Sequence, residues 1–423
     1  MGSLPVSSVR RRRKLRTPLA IGLGLAFAFG LAAAAAGAPR IVAVGDVHGD
    51  LAGFKKILVH AGVVDGAGAW AGGDAVLVQV GDLIDRGPSM RGTLDFVMAL
   101  ERDAAKHGGR VVALLGNHEI LNLSGDLRYV TPGNYAEFAD AGSEKRREDA
   151  WRQVRDLRKR RARELGQADP RTGAGARKAW LAAHPPGYLE HQEAFGPAGT
   201  YGRWLRPRPA VFVDQDIAFM HGGLSPALAG VSLEDLDRRV RDDLATLDSD
   251  RALFVSEGLI LPFFDIQETF QALRENLGSP SASPKDVERR KTYEHFLDWS
   301  SWTMNSPDGP IWFRGYGRWS DARGEAAMPK LLSSAGVAHF VVGHTVQEDG
   351  RIHVRFGGAA FLIDTGMLTS YVPGGRASAL EIDDGVASAI YAGEPRRVVW
   401  EPARKAAAFA SPGAPGRATG AAW

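Results

Sequence analysis

"IVAVGDVHGD", residues 41–50, is an apolar run that stops at a glycine and then sets an acid, Asp46, and a histidine, His48, two positions apart. A lone triplet of this kind is also what an ordinary polar loop contains. The arrangement recurs, however. "VLVQVGD" (76–82) delivers Asp82, "VVALLGN" (111–117) delivers Asn117, "IAFMH" (217–221) delivers His221 and "HFVVGH" (339–344) delivers His344. Five apolar runs of strand length thus end in a side chain able to bind a metal. Singly, each has a plain explanation, an acid capping a helix or a histidine packed in a core; five repeats are hard to obtain by chance. In open α/β sheets the ligand crevice lies outside the carboxyl ends of the strands, where residues far apart in sequence converge. Side chains two apart at a strand end point the same way, so Asp46 and His48 can face one ion together. The recurring glycines let the backbone turn sharply without crowding it.

The chain has 423 residues, 44% hydrophobic and 24% charged, a composition that belongs to soluble globular proteins and excludes disorder throughout. A formal net charge of +3 is small for this length and argues neither for nor against a polyanionic partner. With no cysteine, thiolate nucleophiles, thiolate metal sites and disulfides are all excluded. Any metal must be held by nitrogen and oxygen.

Residues 1–38 differ in kind. A basic stretch, Arg10 to Arg16, precedes an apolar run from Leu19 to Ala38, the pattern of an export signal. An apolar run of about 20 residues also suffices to span a bilayer as an uncleaved anchor. Cleavage is favoured by Ala34-x-Ala36 and by the short distance to the first strand, and it implies a periplasmic or secreted protein; the anchored alternative gives the only expected membrane contact.

Beyond Ile41, short apolar strands alternate with amphipathic helical stretches, the rhythm of an α/β domain. Leu51, Phe54, Ile57, Leu58 and Ala61 share one helical face, with Asp50 as N-cap. A helix follows the strand at 76–80, with Leu94, Val97 and Met98 inward, and a strand at 110–115 follows that. Residues 210–220 read as a hairpin, and 337–342, "RIHVRF" and "AAFLID" as further strands. Later strands follow hairpins rather than helical crossovers, which predicts mixed sheets. Residues 125–200 read as a strongly basic, poorly amphipathic helical insertion. A solvated face or a substrate-facing cap fits it, and nucleic-acid binding fits least because no aromatics are interleaved for stacking. Residues 396–423 have the Ala/Gly/Pro bias of a disordered tail. The seven histidines at 60, 107, 184, 191, 295, 339 and 353 lie outside the strand-end pattern and read as structural.

"GDVHGD", "GDLIDRG", "GNHE", "MHGGLSP" and "VVGHTVQEDG", in this order, resemble the phosphoprotein phosphatase branch of the calcineurin-like metallophosphoesterase superfamily. "ILNLSGDLRYV", "YGRWLRPRP", "PIWFRGYGRW" and "FLIDTGM" are similar to the Shewanella-like protein phosphatases, several of which favour phosphotyrosine. The resemblance implies a catalytic domain over 40–395, built as a four-layer α/β/β/α sandwich of two mixed sheets with a helical insertion. One departure stands out: "LIDTGM" occupies the place of the aromatic loop of the eukaryotic serine/threonine enzymes, so their substrate contacts are not carried over.

The resemblance further implies two metal ions, with Asp46, His48 and Asp82 on the first and Asp82, Asn117, His221 and His344 on the second. Asp82 bridges them. Imidazole with oxygen donors suits Mn, Fe or Zn better than Mg or Ca. His118 is implied as the general acid and Asp85 as its hydrogen-bond partner. Arg86 and Arg314 are implied to grip phosphate oxygens, a task for which a planar guanidinium is well shaped. Arg203 is a further candidate, equally readable as a surface or packing arginine. The expected reaction is in-line attack of a metal-bound hydroxide on a phosphomonoester of a phosphorylated protein or peptide, with phosphotyrosine favoured and no nucleic acid involved. Two alternatives are a nucleotide or diadenosine-polyphosphate hydrolase on the same scaffold, for which no firm set of stacking aromatics is evident, and a non-catalytic exported binding module, against which the complete ligand set argues.

Overall fold

Strands dense in valine, isoleucine and phenylalanine form the two sheets of the protein; the computed structural model describes residues 38–166, 171–278 and 284–402. In chain order the strands are β1 (Ile41–Val44), β2 (Val76–Gln79), β3 (Arg110–Ala113), β4 (Val211–Asp214), β5 (Ile217–Met220), β6 (His339–Val342), β7 (His353–Arg355), β8 (Ala360–Leu362), β9 (Ser378–Asp383), β10 (Val386–Tyr391) and β11 (Arg397–Trp400). One sheet runs β11-β10-β9-β1-β2-β3 and the other β4-β5-β6-β8-β7. Each is mixed, as predicted: β1, β2 and β3 are parallel while β1 pairs antiparallel with β9, and β5, β6 and β8 are parallel between antiparallel edges.

The period of two along each strand divides its side chains between two cores. Ile41, Ala43, Val78, Phe219, Val341 and Phe361 fill the space between the sheets. Val42, Val44, Leu77, Met220, Phe340 and Leu362 point the other way, into a core shared with the helices. Helix α1 (Leu51–His60) starts where Asp50 accepts from the Gly53 amide, and it buries Phe54, Ile57 and Leu58. Helix α2 (Met90–Lys106) buries Leu94 and Val97, and Met98 is partly buried. Because the parallel strands of both sheets end at one edge, five strand ends open onto the same place.

Two expectations need correction. The segment over 125–200 is not a solvated face. Its long helix Ser143–Glu164 buries Ala150, Trp151, Val154 and Leu157 in the main helical core. Arg147 is buried with them because its guanidinium donates to the carbonyls of His184 and Leu181 and to Glu144. An arginine satisfied in this way sits on the apolar stripe and hides it from a hydropathy reading. The tail predicted over 396–423 also begins later, since β11 pairs antiparallel with β10 and Trp400 lies edge-on to His339 and Phe361 of the other sheet. Residues beyond 402, and the export or anchor segment expected over 1–38 except its last residue, lie outside the described residues. Among the described residues no helix is long and apolar enough to cross a membrane.

His191, on helix Tyr188–Phe195, stacks on Phe195 and meets the edges of Phe138 and Tyr135, and neither ring nitrogen has a hydrogen-bond partner among the described residues. Burial lowers its pKa to about 3. Below the ordinary histidine pKa of about 6.5 the unfolded chain therefore binds a proton that the folded chain refuses, and stability falls as pH drops from there toward about 3. His191→Phe should remove up to about 1.4 kcal/mol per pH unit of that dependence. Urea unfolding of both proteins between pH 4 and 7 (about the range of interest) measures it; parallel pH profiles would exclude a buried neutral His191.

Candidate metal centre

Five non-glycine residues at this edge have left-handed backbone: His48 (φ 48°), Asp82 (φ 59°), Asp85 (φ 70°), Arg86 (φ 65°) and His344 (φ 66°). Such conformations are costly for side-chain-bearing residues and persist where surroundings over-determine them. Here the determinant is visible. The buried carboxylate of Glu119 accepts from the backbone amides of Asp82, Leu83 and Gly116, each at 2.8 Å. The amides of Val47 and His48 both donate to the Asp82 carbonyl at 2.9 Å, tying the β1 and β2 ends together. Glycine is needed at two of the strand ends, because a Cβ on Gly116 would overlap the Asp82 carboxylate and one on Gly343 that of Asp46.

The side chains carried by these turns converge. Asp82 Oδ2 lies 3.3 Å from His221 Nε2, 3.8 Å from His48 Nε2 and 3.8 Å from His118 Nε2. His48 Nε2 is also 3.8 Å from Asp46 Oδ2, and His221 Nε2 is 3.0 Å from Asn117 Oδ1. His48, Asp82 and His118 form one group whose ligand atoms lie within 4.8 Å of one another, and Asp82, His221 and His344 form a second. Asp82 belongs to both. All six expected ligands are at least nine-tenths buried.

The donor chemistry fits cations. His48 Nδ1 sits 3.1 Å from the Ile84 carbonyl, His221 Nδ1 2.9 Å from that of Val80, and His344 Nε2 3.1 Å from that of Trp312. A carbonyl only accepts, so that nitrogen carries a proton and the other ring nitrogen is turned to the centre, where it can serve as a ligand. Three buried carboxylates, those of Asp46, Asp82 and Asp364, share this space. Burial, with Asp364 beside it, holds Asp46 well above the usual carboxylate range, and Asp364 is pushed up to about 6 by burial. For Asp82, burial works upward, but His221 and then His118 outweigh it and leave its carboxyl well below the usual range. His221 is the complement: burial works downward, yet Asp82 and Asp46 raise it to about 9. Burial and its neighbour His118 push His48 well down, and burial with His221 does the same to His344. Such a cluster of oxygen and imidazole donors is what a pair of borderline cations requires.

His118 is held from behind. Its Nδ1 lies 2.6 Å from Asp85 Oδ2, and Asn122 Nδ2 donates to both Asp85 oxygens at 3.0 Å. Its Nε2, buried and without a hydrogen-bond partner among the described residues, faces the centre. Arg86 reaches the centre, touching His48 Nε2, and Arg314 donates to the His344 carbonyl. Arg203 is not brought there. It is exposed on helix Thr200–Leu205, which Tyr201 and Trp204 pin to α2 through Asp95 and Glu101. That position corrects its expected phosphate role in favour of the surface reading.

Sequence reasoning passed over three groups. Glu119 stands inside the "GNHE" motif, but its function is to hold backbone, which no motif spacing reveals. Asp364 follows β8 as Asp82 follows β2, so the strand-end pattern could have found it. Tyr371, in the segment after "LIDTGM", lies 6.3 Å from His48 ring to ring and restores an aromatic group where none was expected.

A family model described as calcineurin-like phosphoesterase matches residues 39–348. An uncharacterized protein of Schizosaccharomyces pombe is 29% identical over 363 residues, covering 84% of this chain and 81% of that protein. Shewanella-like protein phosphatase 2 of Arabidopsis thaliana is 34% identical over 209 residues, 48% of this chain and 51% of that protein, so the match spans about half its length. The structure is similar to that of a cold-active protein-tyrosine phosphatase from a psychrophilic Shewanella species, with a TM-score of 0.55 and 23% identity over 86% of this chain and 81% of that one. That likeness bears on the fold.

Glu119→Ala leaves three buried backbone amides without their acceptor and releases the Asp82 turn. Metal affinity should fall about 10- to 100-fold, and the protein should lose about 1–3 kcal/mol of stability for the unsatisfied groups. Titration of the variant with manganese, followed by metal analysis, reads the first; unchanged affinity would detach Glu119 from the centre.

Proposed function

The chain belongs to the calcineurin-like phosphoesterase family, and on that premise we propose that it hydrolyses phosphomonoesters of phosphorylated protein, phosphotyrosine above all. The observation that carries the reading is the sharing of Asp82 by two groups of buried ligands. The family uses a binuclear metal centre. Asp46, His48 and Asp82 would hold one ion, and Asp82, Asn117, His221 and His344 the other; Mn, Fe or Zn fits these donors. When bound, such a pair neutralises phosphoryl charge and activates water for in-line displacement.

The remaining steps belong to side chains. Arg86 and Arg314 present guanidinium groups to the centre and bind phosphate oxygens. His118 donates its Nε2 proton to the departing oxygen. Asp85 orients the ring through Nδ1, and Asn122 holds Asp85 in turn. The name of the Shewanella neighbour, a protein-tyrosine phosphatase, supports the phosphotyrosine reading. Membership in the Shewanella-like subgroup is supported by the named relatives from Arabidopsis and Plasmodium berghei, the latter 24% identical over 331 residues. The sequence over 1–38 supports export to the periplasm or beyond, which N-terminal sequencing from the native host checks.

Chelation of the purified protein should abolish hydrolysis of an aryl phosphate, and Mn, Fe or Zn, but not Ca, should restore it; activity indifferent to chelation would overturn the assignment. A tyrosine phenol has a pKa of about 10, far below that of an alkyl alcohol, so protonation of the leaving oxygen matters less for it. His118→Asn should therefore slow a phosphoserine peptide about 100-fold or more and the phosphotyrosine version much less, with metal content unchanged. Equal losses on both peptides, or loss of one metal ion, would make His118 something other than the leaving-group acid.

A further inference from the structure

The guanidinium carbon of Arg86 lies 5.1 Å from the ring centre of Tyr129 and 4.3 Å from that of Tyr371. The two rings come from segments remote in the chain, Tyr129 from the turns after the helix Asn117–Ser124 and Tyr371 from the turns after β8. Both are exposed, by 38% and 52%, and they are the only aromatic side chains among the large apolar groups exposed in the described residues. Each also borders an imidazole of the centre. Tyr129 is 4.8 Å from the His118 ring and Tyr371 6.3 Å from the His48 ring. Neither hangs loose. The Arg86 amide donates to the Tyr129 carbonyl, and Arg128 beside it is fixed to Asp126. Tyr371 and Val372 both donate to the Leu368 carbonyl at 3.0 Å.

Exposed aromatics are costly in water, and two held rigidly beside a buried polar centre offer a complementary surface to an aromatic group. The substituent on phosphorus departs beside the acid, His118, and therefore beside Tyr129. We propose that Tyr129 and Tyr371 form an aryl-binding mouth that selects phosphotyrosine: the phosphate reaches Arg86 and the tyrosine ring of the substrate lodges against the two phenols. A phosphoserine side chain has no ring to place there. The inference rests on the phosphomonoesterase reading above and adds residues that set its specificity.

The alternative is that the rings only steady Arg86. The two differ in what a substitution costs. Arg86 meets phosphate oxygens that every substrate has, so loosening it penalises phosphotyrosine and phosphoserine alike. Loss of an aryl contact, present in ground and transition states equally, raises KM for the aryl substrate selectively.

The test is steady-state hydrolysis by the metal-loaded full chain of one peptide sequence carrying either phosphotyrosine or phosphoserine, for wild type, Tyr371→Ala, Tyr371→Phe and Tyr129→Ala. Each alanine variant should lower the ratio of kcat/KM for phosphotyrosine over phosphoserine about 3- to 10-fold, chiefly through KM, and Tyr371→Phe should keep the wild-type ratio. Equal losses on both peptides, an unchanged ratio, or loss in kcat alone would overturn the proposal while leaving the hydrolase reading in place. A wild type that turns over an aryl phosphate and phosphoserine but not phosphotyrosine peptide would remove the substrate preference and the mouth together. Inactivity on every phosphoester would remove the hydrolase reading itself, and with it this one.

Discussion

The structure depends on one buried carboxylate being shared. Asp82 Oδ2 faces three imidazoles within 3.8 Å, from the ends of β1 and β5 and from the helix after β3. No strand could supply this alone, because a β-strand presents side chains only every second residue to a given face. At four of the five strand ends a glycine precedes the polar residue, and His48, Asp82 and His344, with Asp85 and Arg86 beyond β2, turn left-handed and swing side chains over the sheet edge. Each such non-glycine turn costs about 1–3 kcal/mol, and five occur together. They are compatible with a stable fold because the amides of His48, Asp82, Arg86 and His344 are all bonded, and three of the amides around Asp82 share the single carboxylate of Glu119. Strain and its compensation thus lie within one hydrogen-bonding distance of the chemistry.

The strand-end pattern made the ligand set legible, since an apolar run, a glycine and a polar residue are local in sequence and the topology of parallel strands brings their ends together. Asp46, His48, Asp82, Asn117, His221 and His344 all reach one edge for that reason. The hairpin β9–β10 was not read, although Asp384-Gly385 marks its turn, because it carries no polar residue to the site and its strands contribute only sheet. Arg147 misled the reading of the insertion because burial of a guanidinium depends on carbonyls contributed by other helices. Arg203 misled it in the opposite direction, a motif residue whose helix faces elsewhere. Tyr129 and Tyr371 could not be found by any local rule: their approach to a common arginine is a property of two loops placed by the whole sandwich.

The histidines show how the fold assigns roles to chemically identical groups. His48, His221 and His344 each give one nitrogen to a carbonyl, which fixes a proton there and turns the other nitrogen inward. His118 instead sets Nδ1 against a carboxylate, which orients the ring with Nε2 toward the centre. His191 has no hydrogen-bond partner among the described residues and is held neutral by burial among aromatic rings. The proposed ligands, the proposed acid and the core residue differ only in what stands behind the ring.

Charge decides what this centre can accept. Asp46, Asp82 and Asp364 are buried together, whereas the nearby guanidinium groups, Arg86 and Arg314, stand further out, one between two exposed phenols and the other half-buried. Two like charges 4 Å apart repel by about 4 kcal/mol at an effective dielectric of 20, so the carboxylates alone would turn away a phosphate dianion that the arginines attract. Cations held by the ligand groups would reverse the sign of the inner field and allow both layers to act on the same anion. The same reversal removes the reason for Asp46 to hold its proton, since the burial and neighbouring carboxylates that raise it are then opposed by positive charge. On the proposed reading, metal binding and substrate binding would be one electrostatic event, because the acidic cluster that favours the first would make the second depend on it.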